Sequence, residues 1–477
     1  MRCQGCSAWP GTDGSTERLD LTSPEVFASA QGLGSVLEPS NPDSLFNIHD
    51  SFEIWGGHDL AAARSSNFNT WVANNLVSGP TSTARPSSTS RTTTLVTSTS
   101  AAAGSGIPTA CPGVSAPKYP GSVASGWRAV KIAGGLKTPR AVILDPSGRL
   151  LITESGKGIT QHTLSSNGCI ASSRTVISQT NLNHGLAVSP DGKYLYASSS
   201  TTVWRWLYDS AAGTATSSSV VVNSMSNAGH TTRSLVIPKN RPNLLVVSVG
   251  SNGNLDMPTQ NLGVQRAVNK VFDMSTIPSG GFSYNTGGWQ AGYGLRNEVG
   301  LVFDADNNLW GVENSADDLT RVANGQTVDV HIDNPAEELN FLGDVSVPNT
   351  KWYGYPVCFT VWEPSVFKDK TFQVGEQFMI QPNSTFNDAT CGQRSVPPRL
   401  SFQAHSAPLD ASFDPSNSNL YVSFHGSWNR PTPTGFKLVQ VAFQRGSDGK
   451  LNPVASASSR NGYTDIFWNT DSSRCSE

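Results

Sequence analysis

Charged residues are scarce in this chain. Asp, Glu, Lys and Arg make up 14% of its 477 residues and nearly cancel, to a formal charge of -3. No basic field exists to hold nucleic acid. Long apolar runs are missing as well, and nothing approaches the roughly 20 residues of a membrane span. The opening Met1-Arg-Cys-Gln-Gly-Cys lacks the charged start and apolar centre of an export signal. Lys and Glu are few while Gly, Ser, Thr and Asn abound, the balance expected of a secreted β protein. A secreted composition without an export signal leads to the expectation that the chain begins partway through a longer protein.

Cysteine is also sparse. The seven are Cys3, Cys6, Cys111, Cys169, Cys358, Cys391 and Cys475, and no spacing other than Cys3-x-x-Cys6 looks like a metal or redox motif. Sequential disulfide pairing in an oxidising compartment is the simplest account, with Cys475 left alone. One sequon, Asn383-Ser-Thr385, lies in a polar stretch and agrees with secretion.

Composition changes along the chain. From Ser78 to Thr109 it is almost entirely Ser, Thr, Ala, Pro and Gly. Such a stretch cannot bury a core and reads as an extended, O-glycosylated linker. It divides the chain into residues 1–77, a linker over 78–109, and residues 110–477.

The third part carries a recurring phrase: an acidic or Pro-Asp turn, a glycine or asparagine, then a short aliphatic strand. It occurs as Asp145-Pro-Ser-Gly-Arg-Leu-Leu-Ile-Thr-Glu154, Ser189-Pro-Asp-Gly-Lys-Tyr-Leu-Tyr-Ala-Ser198 and Pro238-Lys-Asn-Arg-Pro-Asn-Leu-Leu-Val-Val-Ser248. Two more copies are Asp304-Ala-Asp-Asn-Asn-Leu-Trp-Gly-Val-Glu313 and Asp414-Pro-Ser-Asn-Ser-Asn-Leu-Tyr-Val-Ser423. Each follows another strand-like run. Strand, tight turn and strand, repeated roughly every 45 to 65 residues with one double-length gap, predict an all-β propeller with one copy per blade. The Asp/Asn-Gly pairs supply the positive φ of tight hairpins, so they speak for fold and not for function.

Chemistry is expected where polar residues interrupt strand ends, at the mouth of the central channel. Three clusters qualify: Gly229-His-Thr-Thr-Arg233, Tyr293-Gly-Leu-Arg-Asn297 and Ser423-Phe-His-Gly-Ser-Trp-Asn-Arg430. A guanidinium offers a planar fork of donors that suits a carboxylate or a carbonyl. A histidine beside it is the natural general base near neutral pH. Plainer roles compete: His230 could be a structural hydrogen-bonding residue, Arg296 could pair with Glu298 or Glu313, and Gly-Ser-Trp-Asn-Arg could be a tight turn with an aromatic plug. A fourth segment, Glu313-Asn-Ser-Ala-Asp-Asp318, is rich in the oxygen donors that a hard cation takes, or is a solvated acidic turn.

These clusters, with Leu136-Lys-Thr-Pro-Arg-Ala141, Trp352-Tyr-Gly-Tyr-Pro356 and His405-Ser-Ala-Pro408, occur in a family order. From about Cys111 onward the chain resembles the fungal pyrroloquinoline quinone-dependent pyranose dehydrogenases, relatives of bacterial soluble glucose dehydrogenases and sorbosone dehydrogenases. The resemblance implies a six-bladed β-propeller with the quinone over the channel mouth and a calcium ion on the quinone. It implies His230 as general base, Arg296 and Asn297 as quinone contacts, and Arg140 and His425 as further cofactor-binding residues. Ser315 and Ala316 fall where backbone carbonyls ligate calcium. The implied reaction oxidises the anomeric hydroxyl of a pyranose sugar to a lactone.

Residues 1 to about 77 resemble the C-terminal part of the b-type cytochrome domain of fungal cellobiose dehydrogenases, a β-sandwich, through Arg2-Cys-Gln-Gly-Cys-Ser-Ala-Trp9, Asn47-Ile-His49 and Leu60-Ala-Ala-Ala-Arg-Ser-Ser-Asn-Phe-Asn-Thr-Trp71. His49 matches an axial haem ligand, and no segment matches the strand bearing the methionine partner. The implied electron acceptor is a haem domain or a secreted redox enzyme. The chain is therefore expected to hold a partial cytochrome domain and, after Gly462-Tyr-Thr-Asp-Ile466, to stop short of a final blade that contains the partner of Cys475. Two other readings stand beside the dehydrogenase. A calcium-dependent lactonase would need a carboxylate-rich metal cage at the strand ends, and a glycan-binding or interaction propeller would need no base at His230.

Overall fold

A computed structural model describes residues 108–471 and, before them, the backbone of four strands. Those four form two antiparallel pairs, Ala8–Pro10 with Thr16–Arg18 and Glu25–Gln31 with Ser51–His58. They belong to a compact unit, Met1–Ser98, separate from Thr99–Glu477. His49, Cys3, Cys6 and Cys475 lie outside the described residues, as does most of the segment expected to be a cytochrome sandwich.

The larger unit is a β-propeller of antiparallel sheets, in which the described residues form five blades. Sheet 1 contains Pro139–Leu144, Leu150–Glu154, Gly158–Leu164 and Ile170–Ile177, hydrogen-bonded in that order. Sheet 2 runs Leu186–Val188, Tyr194–Ser198, Val203–Asp209 and Thr214–Asn223, with Phe282–Ser283 added in parallel at its edge. Sheet 3 is Leu235–Val236, Leu244–Val249, Val268–Asp273 and Trp289–Tyr293. Sheet 4 is Glu298–Phe303, Leu309–Glu313, Glu337–Gly343 and Leu400–Phe402. Sheet 5 is Pro408–Phe413, Asn419–Phe424, Lys437–Arg445 and Thr464–Asn469, extended by the early strand Gly121–Val123.

Each copy of the recurring phrase forms the turn between the first and second strands of one sheet. Its fourth residue is left-handed in four copies: Gly148 (φ 74), Gly192 (φ 71), Asn307 (φ 60) and Asn417 (φ 56). Only glycine and, at modest cost, asparagine adopt that conformation readily. The leading aspartate caps the turn, as Asp145 Oδ1 accepts from the backbone of Ser147 and Arg149, and Asp304 Oδ1 from that of Asp306 and Asn308. The third copy, after Pro238, lacks the left-handed residue and closes instead through Arg241 N to Pro238 O. The double-length gap is an insertion in sheet 4 between Glu337–Gly343 and Leu400–Phe402. It holds a two-stranded sheet, the helix Asp388–Arg394 and the disulfide Cys358–Cys391. A second disulfide joins Cys111 to Cys169, so both pairings expected within the described residues form.

The cores lie between neighbouring blades. Leu151, Leu195 and Trp206 pack between sheets 1 and 2, and Val222, Leu245 and Phe272 between sheets 2 and 3. Leu244, Leu301 and Leu342 fill the space between sheets 3 and 4, and Trp310, Leu420 and Val439 that between sheets 4 and 5. The outward face of the first strand of sheet 1 is different: Val142 is 45% and Leu144 61% exposed. Among the described residues no helix is long and apolar enough to cross a membrane.

Candidate active site

The five blades share one strand polarity, so the start of every first strand and the end of every second strand lie at the same end of the propeller. That end collects Arg140, His184, His230, Arg296, Asn297, the 314–317 segment, His405 and His425. The topology thus gathers residues more than 280 positions apart in sequence.

His230 stands just before the first strand of sheet 3, beside the end of the second. Its backbone N–H donates to Ser251 O, whose own N–H donates to Arg296 O. Its Nδ1 lies 3.0 Å from both Ser251 O and Ser251 Oγ. Because that hydroxyl donates to Gly253 O, both neighbours of Nδ1 are acceptors. Nδ1 therefore carries the proton and Nε2 keeps its lone pair. Burial, and then the Arg296 charge, lower the pKa of His230 to about 4. The imidazole is neutral at neutral pH, as a general base must be. Gly250 makes the approach possible, since a Cβ there would fall 2.8 Å from both His230 Cβ and Asn297 Oδ1.

Arg296 does not pair with Glu298 or Glu313 through its guanidinium. Its Nη2 donates to Asp317 Oδ2 at 2.9 Å and to Asn254 Oδ1 at 3.0 Å, its Nε to Asn254 O, and its Nη1 to Asn314 O. Glu313 serves the backbone instead, with Oε1 accepting from Arg296 N at 2.5 Å. Asp317 in turn faces His405 Nδ1 at 3.5 Å and accepts from Asn429 Nδ2 at 3.1 Å. Burial works to raise the Asp317 pKa, but the His405 contact and the Arg296 charge hold it below the usual carboxylate range.

Asn297 is half-buried beside Gly250 and His230. Arg140 is exposed and has no hydrogen bond or ion pair among the described residues. It lies close enough to His184 to help burial push that imidazole down to about 4, and His184 Nδ1 is buried without a partner. His425 is exposed, with its ring 5.7 Å from that of Phe436 and its backbone N–H on Ala407 O. No hydrogen bond joins Arg140 or His425 to the Arg296 cluster among the described residues. Arg233, from the same motif as His230, is wholly buried and donates to Ser200 O, His230 O, Thr232 O and Ser226 O. Its role is to shape the loop that carries His230.

The 313–318 segment assembles no carboxylate cage. Among the described residues no group of three His, Cys, Asp or Glu side chains is placed to hold a metal. Asp317 is spent on Arg296, and Ser315 N donates to Glu337 Oε2 at 2.7 Å. Below the mouth Glu298, Glu313, Glu337 and Glu338 are fully buried. Burial, reinforced by mutual repulsion, raises Glu313 well above normal and Glu298 to about 8; Glu338 is raised to about 7. Asn340 Nδ2 donates to Glu313 Oε2, while its Oδ1 is buried without a partner. Sequence reasoning did not assign Asn254, Asp317, His405 or Asn429 to the site. The signal present for three of them was position: Asp317 lies in the oxygen-rich segment, Asn429 in the Ser423–Arg430 cluster, and His405 opens the His405-Ser-Ala-Pro408 motif.

A β-propeller whose mouth joins a neutral histidine to arginines is a scaffold for redox or acid-base chemistry on a polar, oxygen-bearing ligand. The TrAA12-like family model matches residues 121–477, and the chain belongs to this family. The model of the cytochrome domain of cellobiose dehydrogenase matches residues 1–70. The chain is 39% identical over 480 residues to a pyrroloquinoline quinone-dependent pyranose dehydrogenase of Coprinopsis cinerea, covering all of this chain and 66% of that protein. It is 37% identical over 371 residues to a pyrroloquinoline quinone-dependent sugar dehydrogenase of Hypocrea jecorina, covering 75% of this chain and 82% of the relative. Among solved structures, the holo form of the quinone domain of the Coprinopsis cinerea pyranose dehydrogenase superposes with a TM-score of 0.75 at 42% identity, covering 77% of this chain and 91% of that one. A calcium structure of a Trichoderma reesei family AA12 protein gives 0.68 at 35% identity, covering 78% and 88%. The chain thus spans 66% of the length of the Coprinopsis cinerea relative.

Proposed function

We propose that this protein is a pyrroloquinoline quinone-dependent dehydrogenase that oxidises the anomeric hydroxyl of pyranose sugars to lactones. The observation that carries the reading is His230, fixed as the Nδ1–H tautomer with a free Nε2 next to Arg296. The mouth fits the cofactor chemically: Arg140 is an unpaired cation for an anionic ligand, and Gly250 leaves space that a side chain would fill. When bound, the quinone supplies a two-electron acceptor carbon. Nε2 of His230 accepts the proton of the sugar hydroxyl. The remaining Nη1–H of Arg296, with Asn297, orients a carbonyl of the ligand, while Arg140 and His425 meet its outer edge. A calcium ion would take the carbonyl oxygens of Ser315 and Ala316, since the nearby carboxylates are already engaged.

Reconstitution of the full chain with the quinone and calcium, followed by a sugar panel with a reducible dye, tests this reading. His230→Ala should lose dye reduction by about a hundredfold or more while still binding the quinone. Retained turnover would remove His230 as the base; no turnover by the unaltered protein with any pyranose would sink the reading as a whole.

The wider organisation follows from the same family. Residues 1–77 form part of a b-type cytochrome domain in which His49 ligates haem, 78–109 a linker, and 110–477 the propeller. Electrons pass from the quinone domain to that haem domain or to a secreted redox acceptor. The ring is of the six-bladed kind, and the described residues form five of those blades. The protein works outside the cell; its two disulfides and the exposed Asn383 of the sequon agree with an oxidising compartment and a glycan.

A further inference from the structure

We infer that Asp317 and His405 are positioning residues that act through Arg296, fixing which single N–H of its guanidinium faces the ligand at the mouth. This rests on the proposed role of Arg296 as a quinone contact. A guanidinium has five N–H groups. Here Nε serves Asn254 O, both Nη2 hydrogens serve Asn254 Oδ1 and Asp317 Oδ2, and one Nη1 hydrogen serves Asn314 O. One Nη1–H remains. The plane and roll of the fork are thereby set before any ligand arrives, which is the condition for a hydrogen bond that costs no reorganisation during reaction.

Asp317 is itself held from several sides. Its backbone is clasped by Asn254, which accepts from Asp317 N at 2.7 Å and donates from Nδ2 to Asp317 O at 2.6 Å. Its Oδ1 meets Asn429 Nδ2 at 3.1 Å and His405 Nδ1 at 3.5 Å, leaving Oδ2 for Arg296. His405 is buried, its Nε2 donates to His331 O, and its Nδ1 also lies 3.3 Å from Asn429 Nδ2. Its backbone is left-handed at φ 62, and that of Ala407 at φ 54. Such conformations persist in non-glycine residues where surrounding contacts dictate them, and they concentrate at functional sites. Asn254 comes from sheet 3, Asp317 from sheet 4, and His405 and Asn429 from either side of the first two strands of sheet 5. Three blades are therefore aligned on one guanidinium.

The plainer alternative is that these bonds only staple blades together. The full chain, with and without quinone and calcium, separates the two. The measurements are quinone binding by quenching of tryptophan fluorescence, the visible spectrum of the bound quinone, the thermal midpoint, and kcat and KM for a sugar that the unaltered protein oxidises. Asp317→Asn keeps the shape and removes the charge. We expect it to hold its melting temperature, shift the bound-quinone spectrum and lower kcat at least tenfold, with sugar KM within twofold. His405→Gln keeps a donor toward His331 O and should lower kcat in the same way, and the double variant should fall no further than Asp317→Asn alone. Kcat within twofold of the unaltered protein and an unshifted spectrum would overturn the inference. So would losses that multiply in the double variant, or that only track a lower melting temperature. Failure of the unaltered protein to bind quinone defeats the underlying reading first, and this inference with it.

Discussion

At the scale of the residue, the informative group is His230, because its environment fixes both its tautomer and its charge. Two acceptors at Nδ1 and a pKa of about 4 leave Nε2 basic across the physiological range. A base with an ordinary pKa would lose activity as pH falls through about 6.5. Here kcat/KM for a pyranose should stay level from about pH 8 down to pH 5 and decline only near pH 4, measured with a dye whose own reduction is independent of pH. The sign for stability follows from the same shift. The unfolded chain protonates this histidine near pH 6.5 and the folded one only near 4, so its contribution falls as pH drops through that window. Sequence alone could nominate His230 but could not fix its tautomer, since the partner of its Nδ1, Ser251, is 21 residues away, just past the end of the second strand of sheet 3.

At the scale of the element, the turn phrase and the buried acids of sheet 4 show opposite degrees of legibility. The phrase is local: a polar cap and, in four of the five copies, a left-handed glycine or asparagine are encoded within five residues, and every copy lands at the predicted turn. The acids are not local. Glu298 and Glu313, and Glu313 and Glu338, pair across neighbouring strands, and nothing in their spacing announces that these three point into one dry layer. The Glu338 carboxyl, raised from 4.5 to about 7 chiefly by burial, keeps its proton in the folded state where the unfolded chain has lost it. Its effect is to lower stability as pH rises from about 4.5 to 7. Glu338→Gln removes that loss, so it should raise the melting temperature by a few degrees at pH 8 and change it little at pH 4. An equal shift at both pH values in calorimetric scans would show that ionisation at this position is not the cause.

At the scale of the whole molecule, stability resides in the layers between blades and not within any one sheet. Leu151 is fully buried between sheets 1 and 2, whereas Leu144, on the opposite face of sheet 1, is 61% exposed. Leu151→Ala should therefore cost about 2–5 kcal/mol in urea unfolding, and Leu144→Ser less than about 0.5 kcal/mol. The second value is a probe of the ring: a loss above 1 kcal/mol or so at Leu144 would mean that another layer covers this face in solution.

What the sequence determined by itself was whatever is written over short distances. The strand and turn periodicity and the two disulfide pairings of the propeller were legible because local backbone preference and cysteine order carry them. The motif residues His230 and Arg296 were nominated as polar groups at strand ends. Tertiary structure alone decided which partner each has: Asp317 rather than Glu298 or Glu313 for the guanidinium of Arg296, Ser251 for His230, and backbone carbonyls for Arg233. It also joined Asn254, His405 and Asn429 to Asp317 in the same mouth. The reason is geometric, since a propeller brings the ends of equivalent strands together at one end of its channel, and the identity of a neighbour across blades depends on packing over hundreds of residues that no local pattern records.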